Sequence, residues 1–342
     1  MKKLNCGEPQ FKVADVRFEE AEAKYFQSLR RDINTFFKGE KGSKVSCPIC
    51  GAEQTQEYAV IDTFEVDLCQ CGFLFVNPRP PKEKLSEFYA SGESNQLWHL
   101  LTEKTAAKRK EMFRHNRIPV FRRIVESLGN MKDDAIRMAD VGCGTGPWME
   151  VVREEFPDIE LLGIDPGTEA EKACIAKGLK IHKDNLECCC KVLEGRFDIV
   201  TCFSLLEHTV DPSDFVRLCN KLLKRGGKVF FTVPNVWGFD FASLPVKHRD
   251  WAIPQHINFF SPPILKGLFC NNGFSVEEVT SFGLLDIGLV QRKVSQGVKI
   301  ENEFLERLLE DSVDEATREA FQKFLMDYNL SGQMYIIAEK QE

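Results

Sequence analysis

No run of apolar residues in this chain approaches the roughly 20 needed to span a membrane, so no membrane span is expected. The opening residues, MKKLNCGEPQ, carry two lysines but lack the apolar stretch of a secretory signal. Basic excess is missing too. The net charge is -7, whereas a general nucleic-acid binder needs a positive surplus to neutralise phosphates. The basic residues between Lys104 and Arg123 read as one face of a long helix, Lys104 to Leu128, with Arg114, Arg117, Arg122 and Arg123 on its polar side. A disulfide framework is not expected either. The 13 cysteines are an odd number, and most sit singly in apolar stretches, as Cys202, Cys219 and Cys270 do, where a thiol is a small buried hydrophobe. Cys188-Cys189-Cys190 reads as part of a helix. These absences predict a cytoplasmic protein. Its apolar content of 43% is enough to build one large core or two modest ones.

The stretch Arg137 to Asp165 organises the rest. Met138 to Val141 is a short apolar run that predicts a buried strand. Gly142, Gly144 and Gly146 follow at once, and Pro147 fits the first position of a helix, where its missing N–H costs nothing. A second apolar run, Leu161 to Ile164, ends on Asp165. Strand, glycine turn, helix, strand and acid hold a nucleoside at the carboxyl edge of a parallel sheet. The glycines admit close approach to the backbone, and the acid can accept both ribose hydroxyls. The dinucleotide fingerprint G-x-G-x-x-G is missing, because its last glycine falls on Pro147. An acid, Asp140, stands before the first glycine instead and suits a ligand bearing an ammonium group.

Upstream, Cys47-Pro-Ile-Cys50-Gly51 and Cys69-Gln-Cys71-Gly72 are two knuckles. In each, the glycine permits the tight turn that aims two sulfurs at one metal. Their separation of about twenty residues predicts a structural four-cysteine zinc ribbon on Cys47, Cys50, Cys69 and Cys71. The second knuckle is one residue tighter than usual. Residues from about Val16 to Lys38 form an amphipathic pattern that predicts a packing helix.

Asp140-x-Gly142-x-Gly144-x-Gly146 resembles motif I of the class I S-adenosylmethionine (SAM)-dependent methyltransferases. The resemblance implies that SAM is held by Asp140, Gly142, Cys143, Gly144, Gly146, Asp165, Pro166 and Phe203. It places the adenine amino group near Asp184 or Asn185. It further implies an α/β doubly wound sheet of seven strands in the order 3-2-1-4-5-7-6, the seventh antiparallel. The run CPICG…CQCGFLFVNPRP, then LSEFY, resembles the zinc-binding lobe that precedes the SAM domain in one methyltransferase family. That family includes sugar C-methyltransferases and enzymes of surface-glycan pathways. The resemblance covers about Cys47 to Tyr89 and Asp140 to Pro262, and makes Phe88, Tyr89 and Trp98 candidates for a lid. The expected organisation is a helical extension over 1–40, a zinc-ribbon-like lobe over 41–81, a helical linker and lid over 82–130, and a methyltransferase domain over 131–342. Insertions interrupt that domain at 236–258 and 283–331. The first of them, with Trp237, His248, Arg249, Asp250, Trp251 and Gln255, is expected to touch the acceptor.

Ser204-Leu-Leu-Glu207-His208 follows the expected fourth strand and stands over the methyl position in this fold. His208 has a pKa suited to a base near neutral pH. His256 is a second base candidate, and Glu207 orients a neighbour or a substrate hydroxyl. A quinone-pathway O-methyltransferase family carries E-x-x-E-H here for a divalent metal, but its first acid position is Ser204 in this chain. The sequence therefore predicts methyl transfer to the oxygen or carbon of a small-molecule or glycan-precursor acceptor. Its rivals are an O-methyltransferase on a quinone or aromatic acceptor, and a zinc-ribbon docking module on a SAM-fold scaffold.

Overall fold

The computed structural model describes residues 11–15, 19–129, 135–310 and 312–341. A connecting loop is expected over 129–134; of it, 130–134 lie outside the described residues, as does 16–18 at the start of the first expected helix. Helix α1 (Glu19–Phe36) buries Tyr25, Leu29 and Ile33 along one stripe. It leads to an antiparallel lobe of β1 (Thr55–Ile61), β2 (Phe64–Cys69) and β3 (Leu74–Val76). Four helices follow: α2 (Lys82–Ser91), α3 (Glu93–Lys104), α4 (Ala106–Asn116) and α5 (Ile118–Gly129). The single helix expected from Lys104 to Leu128 is thus two. Pro119 has no N–H to give, and its ring crowds the carbonyl four residues back, so the rod breaks at Arg117.

The main layer consists of β4 (Arg137–Val141), α6 (Pro147–Glu155), β5 (Glu160–Ile164), α7 (Thr168–Ala176), β6 (Ile181–His182), α8 (Leu186–Leu193), β7 (Phe197–Phe203), α9 (Pro212–Leu222) and β8 (Leu223–Pro234). After α10 (Phe239–Ala242) and β9 (Asn258–Phe259) come α11 (Pro262–Asn271) and β10 (Phe274–Ser281). The helices α12 (Asp286–Ser295), α13 (Glu303–Leu309) and α14 (Glu315–Asp327) then lead to β11 (Gln333–Lys340). The seven-stranded sheet runs β10-β11-β8-β7-β4-β5-β6. Its strands β4 to β8 are parallel, and β11 lies antiparallel to both neighbours. Met138, Ile199, Phe230 and Ile337 pack into one core, while Ala139, Val200, Phe231 and Ile336 pack into the other. Burial on both faces explains why these strands read as unbroken apolar runs.

From β4 the chain winds outward to β5 and β6, then returns to β7 and β8 on the other side. That reversal opens a crevice above the carboxyl end of β4, where the glycine turn begins.

Two features escaped the sequence pattern. The two-residue strand β9 pairs with β3, Leu74 facing Phe259 and Phe75 facing Asn258, so the lobe sheet is β1-β2-β3-β9. Buried Arg79 reinforces this joint by donating to the Ile257 carbonyl at 2.6 Å and to Asn258 Oδ1 at 2.6 Å. The other is the seat of the second insertion. Helices α12 to α14 share a core with the first insertion, through Leu244, Ile287, Val290 and Leu325, with Phe239 edge-on to Phe321.

Candidate active site

The glycine turn is left-handed at Gly142, Gly144 and Gly146, with φ of 74°, 51° and 78°. A side chain at Gly142 would place its Cβ 2.6 Å from Leu205 Cδ2. The turn therefore needs glycine for both conformation and space. Asp165, at the end of β5, accepts the Gly144 N–H at 3.0 Å and the Gly167 N–H at 2.8 Å. Each carboxylate oxygen keeps a lone pair for a ligand hydroxyl. Asp140 is buried at the base of the turn and accepts from Thr201 Oγ1 at 2.7 Å. Burial, with the charge of Asp165, raises its pKa to about 7 against the pull of Thr201 and Arg117. A cation bound beside it would restore the carboxylate.

Phe203 closes the other flank, in edge contact with Trp148 and Phe230. Pro166 is exposed at the rim, and Cys143 is buried under the turn. Of the two adenine candidates, Asn185 spends its side-chain oxygen capping α8, accepting from Cys188 N at 3.0 Å. Asp184 takes only the adjacent Asn185 N–H at 2.8 Å and stays partly open.

One residue read as part of a helix's polar side belongs here. Arg117, at the break before α5, stacks its guanidinium 4.3 Å from the Phe113 ring centre and 4.7 Å from that of Phe203. Its Nε is buried without a hydrogen-bond partner. Burial, then Arg109, lowers its pKa to about 9, while Asp140 pulls it up. The charges of Arg117 and Asp140 thus favour each other. The only sequence signal was Pro119, which marks the break that turns Arg117 inward.

The three base candidates meet although they come from separate loops. His208 and His256 stand edge to face, with ring centres 4.8 Å apart. His256 Nε2 lies 4.0 Å from Glu207 Oε1, and the ligand atoms of the three residues all lie within 4.8 Å of one another. The Glu207 side chain is 1% exposed, and neither oxygen has a partner. Burial raises its pKa to about 8. Burial lowers His256 to about 4 and takes His208 well below its ordinary range, so both rings are neutral at pH 7. A backbone and a side-chain hydrogen bond fasten the two loops together. The Ile257 N–H donates to the Glu207 carbonyl at 3.0 Å, and Asn258 Nδ2 donates to the Thr209 carbonyl at 2.6 Å.

Helix α2 brings Tyr89 over this trio. Its hydroxyl lies 3.0 Å from His208 Nδ1 and donates to the Gln255 carbonyl at 3.2 Å. Of the other lid candidates, Phe88 is core, edge-on to Phe36 and Phe37. Trp98 is half open against Tyr25. In the first insertion, Trp251 is buried between Phe241 and Phe259, and Arg249 donates to Tyr58. Trp237 remains open, at 57% exposed.

The four lobe cysteines converge. Cys47 Sγ is 3.8 Å from Cys71 Sγ, and Cys50 Sγ is 3.4 Å from Cys69 Sγ. Gly51 and Gly72 take φ of 74° and 89° and return N–H bonds to Cys47 and Cys69. A tetrahedral zinc with sulfurs at 2.3 Å spaces them about 3.8 Å apart, so this donor set fits the ion. The Cys188 triplet lies on α8, with Cys189 and Cys190 buried. Among the described residues, no helix is long and apolar enough to cross a membrane.

Residues 113–279, a span that includes the glycine turn, match the family model described as a methyltransferase domain. Two curated relatives are ubiquinone biosynthesis O-methyltransferases. The one from Colwellia psychrerythraea is 36% identical over 144 residues, 39% of this chain and 58% of the relative. The one from Methylococcus capsulatus is 37% identical over 105 residues, 29% of this chain and 44% of the relative. The chain thus spans about half the length of these relatives. A solved SAM-dependent methyltransferase from Archaeoglobus fulgidus is 22% identical, with a TM-score of 0.43 over 71% of this chain and 99% of that one.

Proposed function

We propose that this chain is a SAM-dependent methyltransferase acting on a hydroxyl of a small aromatic acceptor. The observation that carries the reading is Asp165 fastened to the Gly144 N–H, with Asp140 buried at the foot of the same turn. In this reading Asp165 accepts the ribose hydroxyls, Asp184 faces the adenine, and Phe203 walls the cleft. Asp140 and Arg117 take the ammonium and carboxylate of the amino-acid end. Bound there, the sulfonium supplies an electrophilic methyl carbon. The protein's own task is to align the acceptor and remove its proton. Neutral His208 is the base we favour, with His256 beside it. Buried Glu207 orients the pair, and Tyr89 closes the cleft.

The lobe order pointed to a carbohydrate acceptor. The names of the relatives favour the aromatic alternative. We assign zinc to the four lobe cysteines as a structural ion, because a closed four-thiolate site leaves no open position. The docking-module rival is disfavoured because Cys47 and Cys69 pack into the same core as Val200 and Phe231. We keep residues 41–81 as the metal lobe, 82–130 as linker and lid, and 131–342 as the transfer domain.

The test is titration calorimetry with S-adenosylhomocysteine. The chain should bind it, and Asp165→Ala should weaken binding by roughly a hundredfold, the loss of two charge-assisted bonds at about 1.5 kcal/mol each. Heat indifferent to that substitution sinks the reading. Turnover with catechol-type against sugar acceptors then decides the acceptor class.

A further inference from the structure

We propose that Tyr89 is a positioning residue that holds His208 as the tautomer protonated on Nδ1, leaving Nε2 bare to take the acceptor's proton; this rests on the reading of His208 as the base. A single phenolic proton stands between two partners. The Tyr89 hydroxyl lies 3.0 Å from His208 Nδ1 and 3.2 Å from the Gln255 carbonyl. A carbonyl oxygen can only accept, whereas Nδ1 can accept or donate. Both contacts are hydrogen bonds only if the hydroxyl gives its proton to Gln255 and receives one from Nδ1. The opposite arrangement leaves the phenolic and carbonyl oxygens facing each other with no proton between them. The bond made by one ring nitrogen sets the state of the other, so Nε2 of the neutral ring carries a lone pair. The Gln255 carbonyl is held in place from two sides. Gln255 Nε2 donates to the Tyr25 hydroxyl of α1 at 3.0 Å, and the His256 N–H donates to the Ala252 carbonyl at 2.9 Å. On the other side, buried Phe88 anchors α2, while the Tyr89 ring is 43% exposed and fills no core. Its hydroxyl is what ties it to the site.

In the transfer, the acceptor's O–H bond breaks and its proton joins Nε2. The electron pair left on oxygen forms the new bond to the methyl carbon as the carbon–sulfur bond breaks. The positive charge thus passes from sulfur to the imidazole ring. The Tyr89 oxygen, accepting from Nδ1–H throughout, steadies the charged ring, since a hydrogen bond to the far nitrogen fixes the tautomer and stabilises the imidazolium. The ring returns its proton to water between turnovers. The other tautomer would turn an N–H toward the acceptor hydroxyl and could not take its proton.

The experiment labels the histidines of the full chain isotopically and reads, by nitrogen–proton correlation near neutral pH, which ring nitrogen carries the hydrogen. His208→Asn identifies the His208 signals by their loss. The parent should show a protonated Nδ1 and a bare Nε2. Tyr89→Phe removes one oxygen from a half-open ring, so it should keep the melting temperature while part or all of His208 moves to the form protonated on Nε2. With catechol as the probe acceptor, the same variant should lose roughly tenfold in kcat, the scale of one hydrogen bond, while KM for SAM stays within roughly twofold. A parent ring protonated on Nε2, or a Tyr89→Phe ring in the parent's tautomer, overturns the proposal. If the tautomer answers to Tyr89 but His208→Asn turns over catechol at the parent's rate, the base reading fails instead; the two failures are told apart because the tautomer is read without turnover.

Discussion

Replacing Glu207 by Gln should flatten part of the pH dependence of stability. The carboxyl is 1% exposed and neither oxygen has a partner, so burial moves its pKa from 4.5 to about 8. The unfolded chain loses this proton near pH 4.5, and the folded chain holds it until about pH 8. Over that window the folded state binds one more proton than the unfolded state, so stability falls as pH rises, by about 1.4 kcal/mol per unit. The loss is nearly absent below pH 4.5 and complete above pH 8. Gln has the same shape and never ionises. The variant and the parent should therefore melt together at pH 5, and the variant should be ahead by about 3 kcal/mol at pH 8. That gap is about 6 °C in melting temperature for a chain of this size. Asp140 also titrates in the window, but it is common to both proteins and cancels in the difference. Thermal melts at half-unit steps from pH 5 to pH 8 make the measurement. A gap that stays constant, or one that favours the parent at alkaline pH, refutes the reasoning.

Removing the guanidinium in Arg117→Met should weaken S-adenosylhomocysteine binding by roughly thirtyfold or more, while leaving the melting temperature equal or higher, because an unpaired buried cation is gone. Unchanged affinity would remove Arg117 from the cleft. Gly142→Ala places a methyl against Leu205 in a left-handed backbone and should cost about 2 kcal/mol of stability along with cofactor binding; an alanine variant that binds normally contradicts the turn geometry. Metal analysis should find about one zinc per chain. Stripping it should lower the melting temperature by about 5 °C or more, and a chain that neither holds zinc nor responds to chelation argues for four plain thiols.

The features legible in the sequence were those that depend on local chemistry. Gly142, Gly144 and Gly146 announce a turn because only glycine tolerates that backbone. The knuckles at Cys47 and Cys69 announce converging sulfurs through the glycines behind them. The strands of the sheet are legible because burial on two faces leaves them almost wholly apolar. Hidden features depended on long-range contact. The two residues of β9 are too few to show any period, and their pairing with β3 has no local signature. Arg117 looked like one more charge on a helix, since nothing nearby in the chain reports the three aromatic rings around it. His208 and His256 were each visible as candidates, but their edge-to-face meeting depends on how the 206–209 loop and residues 256–258 fold together. Asn185 shows a second, local role that the sequence did not suggest. Its amide was read for the adenine position, and its oxygen also caps α8 by accepting from Cys188 N.

The joint at Ile257 carries a further consequence. Its N–H is held by the loop bearing His208, and its carbonyl receives the Val76 N–H at 3.0 Å. One residue thus links the sulfur-rich lobe to the loop of His208. On the reading proposed above, damage to the knuckles would shift the 206–209 loop and slow turnover more than it weakens cofactor binding. Half-metallated preparations would then show full cofactor occupancy and slow turnover, a signature that inhibitors of the cleft itself do not produce.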